Sequence, residues 1–464
     1  MSTQPVTTNN SQAGQLLILV LIFGAIFMVV VSSFIGSVVS QSRAVDARIE
    51  QQKATEIAEA GLNYYKWYLA HFPGDTSGDG TTTVYNDPVT NEPVGEYTLN
   101  ISDISYCGVT TSINVEATAN TYVRPNAKAV ISATYKRPTV AEYSFITNGS
   151  VRYGASRVIT GPVHANQQIR MDGFHNSVVA SGVTSFSGND GVYTTTANAT
   201  PGLFQFPVSP IDFAGLTIDM VQMRTSAQAE GVYFGPTSGF GYRLVFNGNG
   251  TVDVYRVTNT RDYWSYSSSE GWHGGERNDI RNNTLIANNL AINPDCPVLF
   301  FADKLWIEGE VNQKVAVAAG LNTGNAQNNI VVHGNVTYGP SADAGLLAIA
   351  EDDVDIGIDV PNNMTAHGIY IAQNGRFGRN HYVTSGSRRL PGALSSFRSR
   401  DSLTRLGSVI GNIGGGTEWM SGSTHLSGFR SRITSFDRNQ IDNPPPLTPE
   451  TNDVYELQDW RQEG

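Results

Sequence analysis

The chain opens with its longest apolar run. From Gln15 to Gln41 no side chain is charged, and Leu16 to Val31 contains no strongly polar residue. A helix crossing ~30 Å of hydrocarbon needs about 20 such residues, so the run predicts a membrane-spanning helix. Strong helix formers then continue without a break through RAVDARIEQQKATEIAEAGLNYYKWYLAHF, with no proline before Pro73. Within that stretch Val45, Ile49, Ile57, Ala60, Leu62 and Tyr64 fall mostly on one stripe, with the charges elsewhere. One helix from Gln15 to Tyr68 would be about 80 Å long, oily all round in front and two-faced behind. The rear half needs a covering layer.

Beyond residue 73 the period changes to two. DTSGDGTTTV at 75–84 reads as a turn, and its Asp75 and Asp79 do not complete a DxDxDG calcium loop. Three alternating runs follow at 94–104, 110–123 and 127–137 and predict an antiparallel meander with one apolar face, the natural cover for the helix. From 141 onward short strands end in Gly or Asn with no helices between them: 161–173, 176–188, 303–320, 328–339, 345–358 and 364–378. One such rung cannot bury its apolar side alone, so stacked rungs are predicted, with a sandwich as the alternative for so irregular a spacing. Residues 201–300 break the pattern with a short helix near Phe213–Met223 and a hairpin turning at 247–250, and read as an insertion across the stack. The expected fold is α+β. Its parts are a leader at 1–14, a long helix at 15–72, a small antiparallel sheet at 73–140, a large all-β region, β-helix or solenoid-like, at 141–410, and a Gly/Pro-rich closing segment at 411–464.

Composition supports a turn-dense, extracellular β protein: 15% charged residues, 47 Gly and 20 Tyr. A net charge of −11 disfavours DNA as a partner. Lys is absent after Lys314, while arginines gather between Arg376 and Arg438. Cys107 and Cys296 are far apart; they pair only if the fold brings them together, and dependence on a disulfide is not expected.

The small-residue QAG before the apolar run, followed by EIAEAGLNYYKWYL, resembles the N-terminus of PilX-type and K-type minor pilins and pseudopilins. That resemblance implies cleavage after Gly14, a mature chain starting at Gln15, and a helix whose partners are first the lipid bilayer and then other pilin-like subunits. It further implies a pilin head made of the helix and its sheet. Leu19 stands where major pilins carry a Glu, which favours a tip or priming position over the shaft. Residues 1–14 hold no Lys or Arg, so they lack the basic region of a secretory signal, and an uncleaved anchor is the competing reading. Arg43, Arg48 and Lys53 follow the span, and a literal count of basic residues places the large region in the cytoplasm. That rule is weak for long translocated domains, and the composition places the region outside the cell. The progression WIEG, VAVAAG, IVVHGNVTYG, LLAIAEDDVDI, IYIAQNG resembles an uncharacterised domain found behind PilX-type N-termini in bacterial surface proteins, as does the ending at 411–449. This likeness points to a family and not to an activity.

HExxH, CxxC, GxSxG and GxxxxGK[ST] motifs are absent. His164, His333 and His367 occupy rung positions and read as structural. The acidic run Glu351, Asp352, Asp353 and Asp355, with Asp359 beyond it, is the candidate for Ca²⁺ or for a polysaccharide-cleaving site, against the plainer reading of a solvated corner. Arg376, Arg379, Arg388, Arg389, Arg398 and Arg400, interleaved with aromatic residues, are the candidate anion-binding set, for a surface glycan or, less favoured, DNA. The plainer reading pairs them with the acidic remainder of the domain. The expected function is a non-enzymatic, cofactor-free pilin-like subunit, a minor, tip or priming component of a type IV pilus or type II secretion filament that displays its β domain for adhesion or assembly. The alternative is a membrane-anchored β-helix that cleaves or binds polysaccharide.

Overall fold

The computed structural model describes residues 11–216, 220–321 and 328–463. Of the expected leader, residues 1–10 lie outside the described residues. Two units are present: Met1–Ser102 with Ile113–Tyr135 and Asp459–Gly464, and Asp103–Ser112 with Lys136–Gln458.

The first unit is built on one helix, Ser11–His71, of 61 residues, about 90 Å long at ~1.5 Å per residue. It runs through Arg43 unbroken. A five-stranded sheet accompanies it, in the order Thr81–Asn86, Pro93–Tyr106, Val109–Thr121, Lys128–Lys136, Glu456–Glu463. The first two strands pair antiparallel, as do the third and fourth. The three middle strands correspond to the three alternating runs. The first edge strand begins inside the segment read as a turn, and the other edge strand comes from the far C-terminus.

The buried stripe of the helix is Ala54, Ile57, Ala58, Leu62, Tyr65 and Leu69, a three- and four-residue spacing that keeps one face on the sheet. Val45, Ile49 and Tyr64, read from the sequence as part of that stripe, are exposed. Tyr64 is rotated by ~100° from Tyr65, and the first two precede the residues that meet strands. Gly61 sits where helix and sheet come closest: a Cβ there would lie 2.7 Å from the Tyr97 ring.

The second unit is a parallel solenoid. One ladder runs Phe204–Gln205, Val179–Ser181, Val163–Ala165, Phe145–Thr147, Val409–Gly411, Ile369–Ala372, Gly345–Ala350, Lys314–Ala319, Val298–Phe301, Val232–Phe234, and its pairings are parallel throughout. A second ladder follows the same order, with Arg157–Thr160 beside Thr424–Ser435 and then Ser399–Leu406, Asn363–His367, Ile330–Tyr338 and Leu305–Val311. The chain therefore enters at the middle of the stack. It winds to one end by Gln205, resumes at the opposite end by Val232, and winds back until Val409–Gly411 closes against Phe145–Thr147. This seam joins the first rung to the last.

Strands such as VLFF, KVAVAA and GLLAIA are buried at every position. Their alternate residues Leu346, Ala348 and Ala350 face the solenoid interior, while Leu347 and Ile349 pack outside with Met220 and Met223 of the helix Met220–Ala229. Continuous apolar runs mark a sheet covered on both faces. Residues 201–300, read as one insertion, divide: Val232–Phe234 and Tyr242–Asn247 are rungs, and Thr251–Ser267 with Gly271–Ala291 forms a long antiparallel hairpin. The expected helix near Phe213–Met223 is found in part as Met220–Ala229; residues 217–219 lie outside the described residues. Cys107 and Cys296, whose pairing the sequence left open, are brought together by the fold and form a disulfide across 189 residues of sequence.

Candidate functional site

The first candidate is the front of the long helix. Leu16 to Val39 shows its large apolar side chains on all sides, from 37% exposed at Val31 to 71% at Met28, and the segment is apolar and long enough to cross a membrane. Such a surface demands a non-aqueous partner. Gly14 and Gln15, the candidate processing pair, lie within this helix.

The rear half is fixed by polar contacts as well as packing. Glu50 is buried, accepts the Thr121 hydroxyl at 2.7 Å and pairs with Lys53 at 2.8 Å. The Lys53 and Thr121 bonds hold its carboxyl below the usual range. Gln51 Nε2 donates to the Lys128 carbonyl at 2.7 Å, and Tyr135 donates to the Leu62 carbonyl at 2.9 Å. These bonds set the rotation of the helix on the sheet.

In the second unit the acidic run caps the turns of stacked rungs. Glu351 accepts the Leu321 N–H at 2.6 Å, Asp352 the Asn328 N–H at 3.3 Å and Asp353 the Arg376 N–H at 2.7 Å. These three carboxylates each take a different backbone donor and do not converge on one point. Among the described residues no group of three or more His, Cys, Asp or Glu is arranged to hold a metal. Asp355 instead faces Arg376 at 3.5 Å in a cleft of about 650 Å³ whose lining includes Glu276, Lys304, Asp353, Asp355, Arg376 and Asn380. Burial pushes the Asp355 carboxyl up to about 7 against the pull of Arg376, and lowers Lys304 to about 8. Glu276 accepts from Tyr263, Tyr382, Asn278 and Asn380. The cleft thus offers one carboxyl that changes charge near neutrality and a second that is fully engaged.

The six candidate arginines separate. Arg379 is fully buried and donates to the carbonyls of Gly357, Ile358 and Phe397 at 2.7–3.0 Å. Arg400 is buried, lies over the Phe397 ring at 4.3 Å and donates to Ser396 and Ser399 carbonyls. Arg376 is held by Asn380 and Asp355. Arg388 and Arg389 are exposed, Arg388 over the rings of Trp264 and Trp272, and Arg398 is half-buried. His164 bonds Asn166 at 2.9 Å, as a structural reading predicts.

The sequence reading missed a third group. Arg157, Arg405 and Arg432 are buried with Tyr153 at the seam. The alternation in SRVIT and SRITS carried the signal, because Arg157 shares its face with the buried Ile159 and Arg432 with the buried Thr434.

No family model matches the chain, and no curated protein matches it. Among solved structures, the competence-associated pilin ComZ from Thermus thermophilus aligns over 89% of this chain and 97% of its own, at 12% identity and a TM-score of 0.31. At that score the fold rests on the chain's own ladders.

Proposed function

We propose that the chain is a pilin-like surface subunit whose helix is held first by lipid and then by the apolar helices of neighbouring subunits. One observation carries the reading: a single unbroken helix is bare and apolar in front, while its rear is covered by a small sheet. Extraction from the bilayer is then an exchange of one apolar surrounding for another, with dispersion and close packing deciding the balance. The solenoid is the cargo displayed outside the cell, as an adhesive surface or as a starter of assembly. Leu19, in place of an acid, suits a minor, tip or priming position.

The test is the N-terminal residue of the mature protein recovered from sheared surface filaments. Gln15 at the terminus, in filament fractions, supports the reading. An intact Met1, found only in membranes, leaves a plain anchor.

The Asp355 cleft favours a second reading, an anchored protein acting on acidic polysaccharide. Depolymerisation lost on Asp353→Asn and on Asp355→Asn would support it, and absence of depolymerisation by the purified wild type would remove it.

A further inference from the structure

At the seam Arg432 stands directly opposite Arg157 in the parallel ladder, and Arg405 points into the same interior from the next strand. Like charges in register repel, and burying a guanidinium without a counter-charge costs several kcal/mol. Glu418 pairs with Arg432 and also takes His425 and Ser156. Among the described residues Arg157 and Arg405 have no ion-pair partner, and their side-chain hydrogen bonds go to neutral hydroxyls, Thr417 at 3.1 Å and Thr434 at 2.8 Å. The Nε atoms of all three arginines are buried without a hydrogen-bond acceptor. Aromatic faces offset part of the charge: Phe145 lies 4.8 Å from the Arg405 guanidinium and 5.3 Å from that of Arg157, and Phe377 lies 4.9 Å from Arg405. Burial lowers Arg405 to about 10, and burial together with the neighbouring Arg432 and Arg405 pushes Arg157 well down, so an anion between the two would favour the charged form of both.

A small cavity opens among these groups. Its volume is about 20 Å³, and Phe145, Thr147, Tyr153, Arg157, Phe377 and Arg405 contribute to its walls. That space holds one particle about the size of a water molecule. Sulfate, phosphate and carboxylates are too large for it, and cations are excluded by the guanidiniums. We propose that the seam binds a monatomic anion, chloride in ordinary media, between Arg157 and Arg405. Because Arg157 comes from the first rung and Arg405 from near the last, the anion binds only the closed solenoid. It therefore stabilises closure by mass action.

The test uses the full chain in detergent micelles, unfolded thermally in sodium chloride and in sodium gluconate at equal ionic strength. Chloride should raise Tm by about 1–2 °C for each tenfold increase above half-saturation, and gluconate should not. Arg405→Met should abolish the difference, while the exposed-site control Arg430→Met should keep it. Crystals soaked in bromide should show an anomalous peak in the cavity, which decides the matter even if Arg405→Met fails to fold. Equal Tm in both salts with no bromide peak would overturn the proposal, leaving a water in the cavity and the rings as the sole compensation. A chloride response that survives Arg405→Met would equally overturn it, by placing the anion elsewhere.

Discussion

Asn148 and Asn412, 264 residues apart, share a hydrogen bond: the Asn148 amide donates to the Asn412 side-chain oxygen at 2.8 Å. Asn166 in turn donates to Asn148 at 2.9 Å. These side chains follow successive strands of one ladder and stack at the same corner, across the seam. Each bond replaces water at a turn where the chain leaves the sheet.

Replacing Asn148 with Ala should therefore cost about 1–3 kcal/mol, since it strips two partners at once. A shift of the urea midpoint at unchanged slope checks this. The same change at Asn443, which lies outside the ladder, should move the midpoint much less.

Gly61 sets two effects against each other. In a helix Gly→Ala gains up to about 1 kcal/mol of propensity, but a Cβ at this site meets the Tyr97 ring at 2.7 Å. Overpacking costs about 1–3 kcal/mol, so Gly61→Ala should destabilise the helix–sheet contact. Limited proteolysis of the full chain should then cut faster between residues 50 and 70.

Cys107 and Cys296 close a long loop, and removing such a bridge costs about 2–5 kcal/mol. The double Cys107→Ala, Cys296→Ala variant should unfold at lower temperature than wild type. Reductant should destabilise wild type and leave the variant unchanged.

Asp355 predicts a pH signature. Its folded pKa, about 7, lies above the reference value of 3.8, so between those values the folded state binds more protons than the unfolded chain. Stability from this group is greatest at low pH and falls as pH rises from about 4 to 7, by up to ~4 kcal/mol. The facing charges are Arg376, which opposes the shift, Asp353 and Glu276, which reinforce it, and Lys304, which opposes it. Relative to Asp355→Asn, wild type should lose stability over that range; parallel pH profiles for the two proteins would refute the assignment.

A run of apolar residues from 16 to 39 can be little but a helix without water around it, since every backbone polar group must be satisfied locally. The alternating strands at 94–137 were legible for a similar reason: the period of two puts one face inward whatever the partner. The buried helix stripe was less legible, because Val45 and Ile49 are as apolar as Ile57 and only the position of the sheet decides which are covered. The acidic run looked like a ligand set because spacing says nothing about direction; Glu351, Asp352 and Asp353 turn to three different backbone N–H groups and Asp355 to Arg376. Arg379 and Arg400 looked like surface cations because arginine usually is one, yet both are buried and held by carbonyl oxygens and aromatic rings.

The sequence by itself determined the local character of each segment: an oily rod, a two-faced rod, an alternating sheet, and rungs ended by Gly and Asn. Those follow from short-range periodicity and from the need to satisfy each backbone group nearby. Tertiary structure alone decided the joining of first rung to last, the C-terminal strand Glu456–Glu463 at the edge of the first sheet, the Cys107–Cys296 bond, and the inward arginines of the seam. Each of these depends on segments hundreds of residues apart meeting in one register, and a local pattern carries no information about which distant strand will lie beside it.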